Sequence, residues 1–290
     1  MARGFDHVVH AVRDLDGAAS LYERLGFMVG SRNRHPWGTH NRIVQLDRFY
    51  IEILAVEEPD KIVPHGPHAF SFGAFHQDFL ARHEGLAMIL LDGRDPAAES
   101  AAFRAAGMGD YDVFHFAREG RRPDGSPVRL AFDLVYARDP DAPEIGFASC
   151  YHHFPENFWN PAVQQHANSA ARIAALVMVA ENPADHHIFL SAFVGERELM
   201  ATSSGVNVPT PRGDIQVMHP AAYTQHFGVA PGDLAHGPRL AALRFTVRDF
   251  SAAVTTLQAA RVPATVRMGR IVVGPQAGFG AALIFEPPEG

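Results

Sequence analysis

The chain contains 290 residues, of which 47% are hydrophobic and 20% are charged, a composition that supports buried cores and excludes a disordered protein. Its formal net charge of -7 at pH 7 argues against a nucleic-acid partner, because such proteins usually present a basic surface. No apolar run reaches the roughly 18 residues of a membrane-spanning helix, and the N-terminus lacks the apolar run of a signal peptide. We therefore expect a cytoplasmic protein with neither a membrane nor a nucleic-acid partner.

Residues 4–56 form the first predicted module, in which a strand and a helix precede three further strands. The segment DHVVHAV (6–12) is apolar enough for a buried strand, and Asp14 is placed to cap the helix that follows it. The last strand contains YIEIL (50–54), which places Glu52 in otherwise apolar surroundings. A carboxylate there is costly to bury unless it is paired or bound to a metal.

A long connection at 57–84 leads from the first module to the second, and its end is predicted to be a short helix. This connection either covers a cavity or merely links the two modules. The second module spans 85–153 and again begins with a strand, followed by a helix that starts at Asp95. Within it, the tract at 119–125 has the composition of a hairpin turn.

The remaining modules are predicted at 172–220 and 239–287, after a junction at 154–171. The repetition is clearest in the helices, because VRDLDGAASLYERLGF (12–27) aligns without a gap with VRDFSAAVTTLQAARV (247–262). A fixed order of elements that recurs four times indicates a repeat architecture.

Such a βαβββ unit leaves one face of its sheet uncovered, and two units side by side form a curved sheet with the helices outside and a cavity inside. We therefore predict an α+β fold of four βαβββ modules, paired into two half-barrel domains at 1–155 and 156–290.

The motifs of the first module resemble those of the vicinal-oxygen-chelate superfamily. That superfamily includes glyoxalase I, the bleomycin- and fosfomycin-resistance proteins and the extradiol dioxygenases. The segment GTHNRIVQL (38–46), together with YIEIL, is similar to the glyoxalase-like subgroup. The other segments that carry the resemblance are DHVV (6–9), VRDL (12–15), YxxLGF (22–27) and YIEIL (50–54).

The resemblance implies a divalent metal ion, Fe, Mn, Ni or Zn, held by residues from the first and fourth strands. The first-strand ligand corresponds to His7, and the fourth-strand carboxylate, which is also the expected catalytic group, corresponds to Glu52. The repeats provide an internal control, because Met88, Ala175 and Ala242 occupy the place of His7 in the other modules. A histidine that only filled the core would be expected to look like these apolar residues.

Two further histidines are candidates for the remaining ligand. Side chains alternate along a strand, so His152 shares the face of Cys150 on the last strand of the second module. His40 begins the third strand of the first module, the region that supplies a second histidine in extradiol enzymes. Either one would complete a two-histidine, one-carboxylate site with open positions. Tyr50, Asn41 and Trp37 are expected to line the substrate cavity.

Two classes of function remain open on this basis. The first is an enzyme that acts on a small organic substrate with adjacent oxygens, either as a lyase or isomerase or as a ring-cleaving dioxygenase. The second is a metal-free protein that binds small molecules or drugs, as the bleomycin-resistance proteins do. In the dioxygenases the metal lies in the C-terminal pair of modules, whereas here the ligand-type residues lie in the N-terminal pair. The expected partner is a small molecule, and a homodimer is left open.

Overall fold

The computed structural model describes residues 2–121 and 125–288. The tip of the predicted hairpin turn, residues 122–124, lies outside the described residues. The N-terminal half begins with β1 and ends with β8, and its elements are β1 (Phe5–Ala11), α1 (Leu15–Arg24), β2 (Asn33–Arg34), β3 (Thr39–Leu46), β4 (Phe49–Val56), α2 (Phe72–Arg82), β5 (Gly85–Asp92), α3 (Pro96–Ala105), β6 (Phe114–Arg121), β7 (Pro127–Ala137) and β8 (Gly146–His152).

The C-terminal half repeats the order of one strand, one helix and three strands twice more, with α4 before the first repeat and α6 between the two. Its elements are α4 (Pro155–Phe158), β9 (Ala170–Val179), α5 (His187–Val194), β10 (Met200–Thr202), β11 (Gly205–Pro209), β12 (Asp214–Met218), α6 (Pro220–Phe227), β13 (Arg239–Val247), α7 (Phe250–Ala259), β14 (Thr265–Arg267), β15 (Arg270–Val273) and β16 (Ala282–Glu286).

The strand order confirms the predicted fold of four paired modules. In each module the first and fourth strands are parallel neighbours: β1 with β4, β5 with β8, β9 with β12 and β13 with β16. The N-terminal order is β2-β3-β4-β1-β5-β8-β7-β6, and the C-terminal order is β10-β11-β12-β9-β13-β16-β15-β14. Leu86 and Leu240 pair β5 with β13, so the described strands form one curved sheet that is not closed into a barrel.

The predicted helix starts at Asp14 and Asp95 are confirmed, and the aligned helix of the fourth module starts in the same way at Asp249. The side chains of Asp14, Asp95 and Asp249 each accept a hydrogen bond from a backbone N–H in the first turn of α1, α3 and α7. These caps satisfy donors that a helix end leaves free.

The domain limits at 1–155 and 156–290 stay a prediction. Strands β1–β8 lie before this boundary, and strands β9–β16 lie after it.

The two faces of the N-terminal sheet pack against different partners. Val8, Leu15 and Leu21 belong to the core between the sheet and the outer helices. The opposite, concave face carries Val9 and Leu54 and surrounds the cavity described below. The alternation of side chains along β1 therefore assigns one face to the helices and one to the cavity.

Helix α2 lies across the concave face, so the connection at 57–84 does more than link two modules. Phe79 and Leu80 of α2 pack against Ala11 of β1 and Ala87 of β5. The first residue of α2, Phe72, reaches the cavity wall.

Among the described residues, the structure contains no helix with the length and apolar character needed to cross a membrane.

A β-bulge in β1 departs from the simple alternation expected from the sequence. The pairing of β1 with β5 shifts between Phe5 and His7, so that Asp6 is an additional residue on β1. Such a bulge changes the direction of the side chains near it. Asp6, which strict alternation places on the face opposite to His7, is instead hydrogen-bonded to the His7 ring.

Candidate metal and substrate site

The concave face of the N-terminal half surrounds a narrow cavity with a volume of about 70 Å³. Polar groups gather on one wall and aromatic rings form the others. The lining residues are His7, His35, Trp37, Asn41, Ile43, Tyr50, Glu52, Phe72, Phe114, Phe116, Arg118, Phe132, Leu134, Cys150 and Phe158. A mostly apolar cavity with a few convergent polar groups is the usual form of a small-molecule site.

His7 and Glu52 face each other on this wall, as the sequence predicts. The Nε2 atom of His7 lies 3.8 Å from Oε2 of Glu52, and both side chains are almost completely buried. The parallel pairing of β1 with β4 brings them together, because Val9 is the register partner of Glu52. The other nitrogen of His7, Nδ1, lies 2.5 Å from Oδ1 of Asp6. The His7 ring also stacks on Tyr50, with centroids 4.2 Å apart.

Asp6 acts as the second carboxylate of the site by holding the imidazole of His7. A histidine ligand commonly donates its other ring N–H to a carboxylate, which sets its tautomer and orientation. Burial alone would raise the pKa of Asp6, but His152 and His7 outweigh it and hold the pKa well below its ordinary value. Asp6 therefore stays ionised and can accept a hydrogen bond from Nδ1 of His7, while Nε2 is the ring nitrogen that faces Glu52.

Glu52 is held by a hydrogen bond from Asn41, whose Nδ2 lies 2.5 Å from Oε1. Burial raises the pKa of Glu52 above its ordinary value, although His7 and Asn41 lower it in part. The neutral form of an isolated buried carboxyl is favoured because burial removes water from the charge. A cation beside the carboxylate would reverse that preference.

His35 also faces Glu52, and the sequence analysis missed it. Its Nε2 lies 3.8 Å from Oε1 of Glu52, and its Nδ1 is hydrogen-bonded to the hydroxyl of Thr39. Burial, helped by the nearby Arg118, lowers the pKa of His35 to about 3, so the ring is neutral and able to act as a ligand. His35 stands before a proline and just after the two-residue strand β2, where no periodic pattern indicates which way it points.

The other two histidines predicted as ligands lie outside the cavity. Nε2 of His152 lies 2.9 Å from Oδ2 of Asp6, so His152 contacts the carboxylate that holds His7. His40 lies on the other face of β3 from Asn41, and its Nε2 contacts Glu58 at 3.0 Å. The structure thus brings together His7, Glu52 and, through Asp6, His152, but not His40.

The predicted substrate residues Tyr50, Asn41 and Trp37 all line the cavity. The indole N–H of Trp37 is buried and has no hydrogen-bond partner among the described residues. Trp37 stacks on His35, with ring centroids 4.7 Å apart. An unpaired buried donor is destabilising, so a bound molecule with an acceptor oxygen would satisfy it.

Arg118 on β6 is a second residue that the sequence analysis missed. It lines the aromatic part of the cavity, and burial lowers the pKa of its guanidinium. In the described part of the chain, no carboxylate lies within 4.0 Å of it. A cation in an apolar cavity without an ion-pair partner is suited to bind an anionic ligand.

The donor groups on the polar wall fit a divalent cation. Nε2 of His7 and the carboxyl oxygens of Glu52 are ligand atoms of the kinds that divalent metals bind, and they face each other across 3.8 Å. Cys150 lies close to Asp6 and His7, with one ligand atom of each within 4.8 Å of the others. However, burial and then the charge of Asp6 raise the pKa of Cys150 well above its ordinary value, which keeps the thiol protonated. Histidine and carboxylate are therefore the ligands that fit best.

The C-terminal half has different residues at the corresponding positions. Strand β9 pairs with β12 in the same way as β1 pairs with β4, so Ala175 corresponds to His7 and Gln216 corresponds to Glu52. Neither replacement has an imidazole or a carboxylate.

A guanidinium lies beside these replacements. Arg244 donates from Nη1 to Gln216 at 2.7 Å and from Nη2 to Glu286 at 2.7 Å. Arg270 also donates to Glu286 at 2.7 Å. The C-terminal half therefore has an arginine cation where the N-terminal half offers ligands to a metal cation.

Comparison with known proteins supports this fold. A hypothetical protein from Staphylococcus aureus superposes with a TM-score of 0.67 at 14% identity, over 99% of this chain and 100% of that chain. A fusion of a xylose isomerase-like TIM barrel with 4-hydroxyphenylpyruvate dioxygenase has a TM-score of 0.57 at 13% identity, over 100% of this chain and 50% of that chain. A mutant of 4-hydroxymandelate synthase from Streptomyces coelicolor has a TM-score of 0.56 at 10% identity, over 100% and 94% of the two chains.

At such low identities, these likenesses show the fold alone. No curated protein sequence matches the chain significantly. A family model described as a glyoxalase-like domain matches residues 5–193, from the first strand to the helix of the third module. The match includes the whole cavity and covers more than half of the chain, so the protein belongs to the glyoxalase-like domain family of the vicinal-oxygen-chelate superfamily.

Proposed function

We propose that the protein is a metal-dependent enzyme that acts on a small organic molecule with two adjacent oxygens. The observation that carries this proposal is the pair of His7 and Glu52, two buried side chains of metal-ligand type 3.8 Å apart, with Asp6 fixing the imidazole. His7 and Glu52 would hold the metal, and His35, whose Nε2 lies 3.8 Å from the other oxygen of Glu52, would become a third ligand after a side-chain movement that brings it closer.

A bound divalent metal would supply Lewis acidity, which stabilises an enolate or another oxyanion of the substrate. The protein's own side chains would accept the proton and hold the reacting groups in place. Glu52 is the proposed proton acceptor, because it lies on the cavity wall within reach of a bound substrate. Asn41 keeps one oxygen of Glu52 in place through its hydrogen bond.

The other walls of the cavity favour a substrate with an anionic group and an apolar or aromatic body. Arg118 would pair with the anionic group, and the free N–H of Trp37 would bind an acceptor oxygen. Phe116 and Phe132, whose ring centroids lie 6.4 Å apart, would enclose the apolar body and exclude water. Exclusion of water strengthens the electrostatic contacts inside the cavity.

Two reaction classes fit this arrangement, a glyoxalase-like lyase or isomerase and a ring-cleaving dioxygenase. Two of the structural neighbours carry the names of 4-hydroxyphenylpyruvate dioxygenase and 4-hydroxymandelate synthase. The guanidinium of Arg244 in the C-terminal half weighs against a dioxygenase with its metal in that half. Turnover measured with catechols and with 2-oxoaldehyde–thiol adducts would distinguish the two reaction classes.

The proposal is tested by the metal content and turnover of matched variants. We expect wild-type protein and a His40→Ala control, altered outside the cavity, to retain the same amount of metal and the same activity. His7→Ala and Glu52→Gln are expected to lose one metal equivalent per chain and at least about 100-fold in turnover, since each removes a ligand. Unchanged metal content and full turnover in Glu52→Gln would rule the mechanism out.

A metal-free binding protein is the second candidate, and the unpaired Arg118 and Trp37 favour it, because they can hold an anion without a metal. In that case His7→Ala would bind the ligand as tightly as the wild type, whereas Arg118→Met would lose the affinity.

A further inference from the structure

A second group of metal-ligating side chains lies on the convex face of the N-terminal sheet, outside the cavity. His115 on β6, Asp133 on β7 and His153 just after β8 converge there. The Nδ1 atom of His115 lies 2.6 Å from Oδ1 of Asp133, and Nε2 of His153 lies 3.0 Å from Oδ2 of the same carboxylate. The side chain of Asp133 is only 16% exposed, whereas those of His115 and His153 are 55% and 33% exposed.

The strand register explains why these three residues meet. His115 and Asp133 are direct cross-strand partners in the pairing of β6 with β7. The backbone N–H of His153 donates to the carbonyl of Ala131 at 3.0 Å, which extends β8 beside β7. The neighbours Phe116 and Phe132 line the cavity, so His115 and Asp133 point to the opposite side of the sheet.

We propose that His115, Asp133 and His153 form a second divalent-metal site, separate from the cavity. One ligand atom from each residue lies within 4.8 Å of the other two, and the three residues are a two-histidine, one-carboxylate set. Imidazole nitrogen and carboxylate oxygen suit Zn(II), Ni(II) or Cu(II), and the exposed side of the group leaves positions for water or an external ligand.

Metal binding requires only small side-chain movements at this site. Ligand atoms around one zinc ion lie roughly 3 to 3.5 Å apart, because metal–ligand bonds are about 2.0–2.2 Å long. The present N–O distances of 2.6 and 3.0 Å would therefore open by less than about 1 Å. The exposed rings of His115 and His153 can rotate without repacking the core, while the strand pairing holds all three residues in place.

Zinc titration of the chelator-treated, full-length protein tests the site, with Glu52→Gln used to silence the cavity. In that background we expect one zinc equivalent to remain. Addition of His115→Ala or His153→Ala should weaken its binding at least about 100-fold, and addition of Asp133→Asn about 10-fold. His236→Ala, which removes an exposed histidine elsewhere, should leave the equivalent intact. Equal zinc binding in the His236→Ala and His153→Ala double variants would overturn the proposal.

A copper(II) spectrum keeps the test independent of overall stability and of the cavity. Electron paramagnetic resonance of the Glu52→Gln protein should show two nitrogen ligands, and one after His153→Ala. A signal that is unchanged by both His115→Ala and His153→Ala would count against the site. If Glu52→Gln fails to lower the metal content of the wild type while His153→Ala does lower it, the cavity proposal fails and the surface site stands.

Discussion

At the scale of single residues, the sequence predicted that His7 and Glu52 lie together on the cavity wall, but it did not predict all of the side chains around them. His7 and Glu52 were found because a polar residue in an apolar strand needs a reason to be there, and both lie on the cavity wall. His35 and Arg118 were missed because their positions depend on how loops and a neighbouring module fold over the sheet. The contact of Asp6 with His7 depends on a bulge that no periodic pattern reveals.

The role assigned to Asp6 leads to a prediction for Asp6→Asn. This change keeps the shape of the side chain but removes the charge that orients His7 and holds its Nδ1 proton. We expect metal affinity to fall about 10- to 100-fold while the protein still folds, because second partners of metal ligands have effects of that size. Isothermal titration with zinc measures this affinity. The titration is done in a His153→Ala background, which removes the surface site and leaves only the cavity to bind zinc. An affinity equal to that of the wild type would remove Asp6 from the site.

Buried neutral histidines should make the protein sensitive to acid. Burial lowers the pKa of His76 from 6.5 to about 4, although its hydrogen bond to the carbonyl of Phe72 partly offsets the effect. The unfolded chain therefore binds a proton before the folded chain does as the pH falls through this window. The associated stability is complete above pH 6.5 and is lost towards pH 4, by about 3 kcal/mol.

Chemical denaturation at a series of pH values measures this loss. His76→Leu should show a shallower fall in the free energy of unfolding between pH 6.5 and 4, because it has no ring to protonate. His236→Ala should keep the wild-type slope. If His76→Leu keeps the same slope as well, burial of His76 does not control the acid sensitivity.

At the scale of elements, four strand–helix–strand repeats could be predicted from helix caps and apolar runs alone. The caps at Asp14, Asp95 and Asp249 are where the sequence indicates them, since a capping side chain and its helix are local features. The bulge in β1 and the path of α2 over the cavity could not be predicted, because they depend on contacts between distant segments. Local chemistry thus predicted the elements, and packing decided which side chains reach the site.

Helix α2 provides a test of how the cavity is covered. The hydroxyl of Ser71 accepts a hydrogen bond from the N–H of Ala74 and caps α2, next to the cavity residue Phe72. Ser71→Ala should lower the free energy of unfolding by about 1 kcal/mol, and it should also weaken ligand binding. Asp249→Ala, which removes the cap of the remote α7, should lower stability by a similar amount and leave ligand binding unchanged.

Calorimetric unfolding together with ligand titration compares the two variants. If both variants bind ligand as the wild type does, α2 does not control access to the cavity.

At the scale of the whole molecule, the two halves share one architecture and differ in the chemistry of their concave faces. The N-terminal half offers His7 and Glu52, and the C-terminal half has Arg244 held by Gln216 and Glu286. The pairing of modules could be predicted from repetition. The arginine arrangement could not, because Arg244 and Glu286 are distant in sequence and meet only when β13 lies beside β16.

This difference predicts that a mutation at Arg244 in the C-terminal half lowers stability without changing the metal content. Arg244→Met leaves Glu286 with Arg270 as its remaining partner in a buried position, and we expect the free energy of unfolding to fall by about 3 kcal/mol. The metal content should not change, because the metal is expected in the other half. Denaturant titration and metal analysis of the same preparation check both statements. Loss of metal in Arg244→Met would indicate that the C-terminal half contributes to the metal site.

The central claim, that His7 and Glu52 hold a cation inside the curved sheet, is tested most directly by anomalous diffraction from zinc-soaked crystals. The account predicts a peak within about 2.2 Å of both Nε2 of His7 and a carboxylate oxygen of Glu52, in line with ordinary zinc bond lengths. Occupancy at that position should survive His40→Ala. Anomalous density confined to other positions, with the space between His7 and Glu52 filled by water alone, would contradict the account.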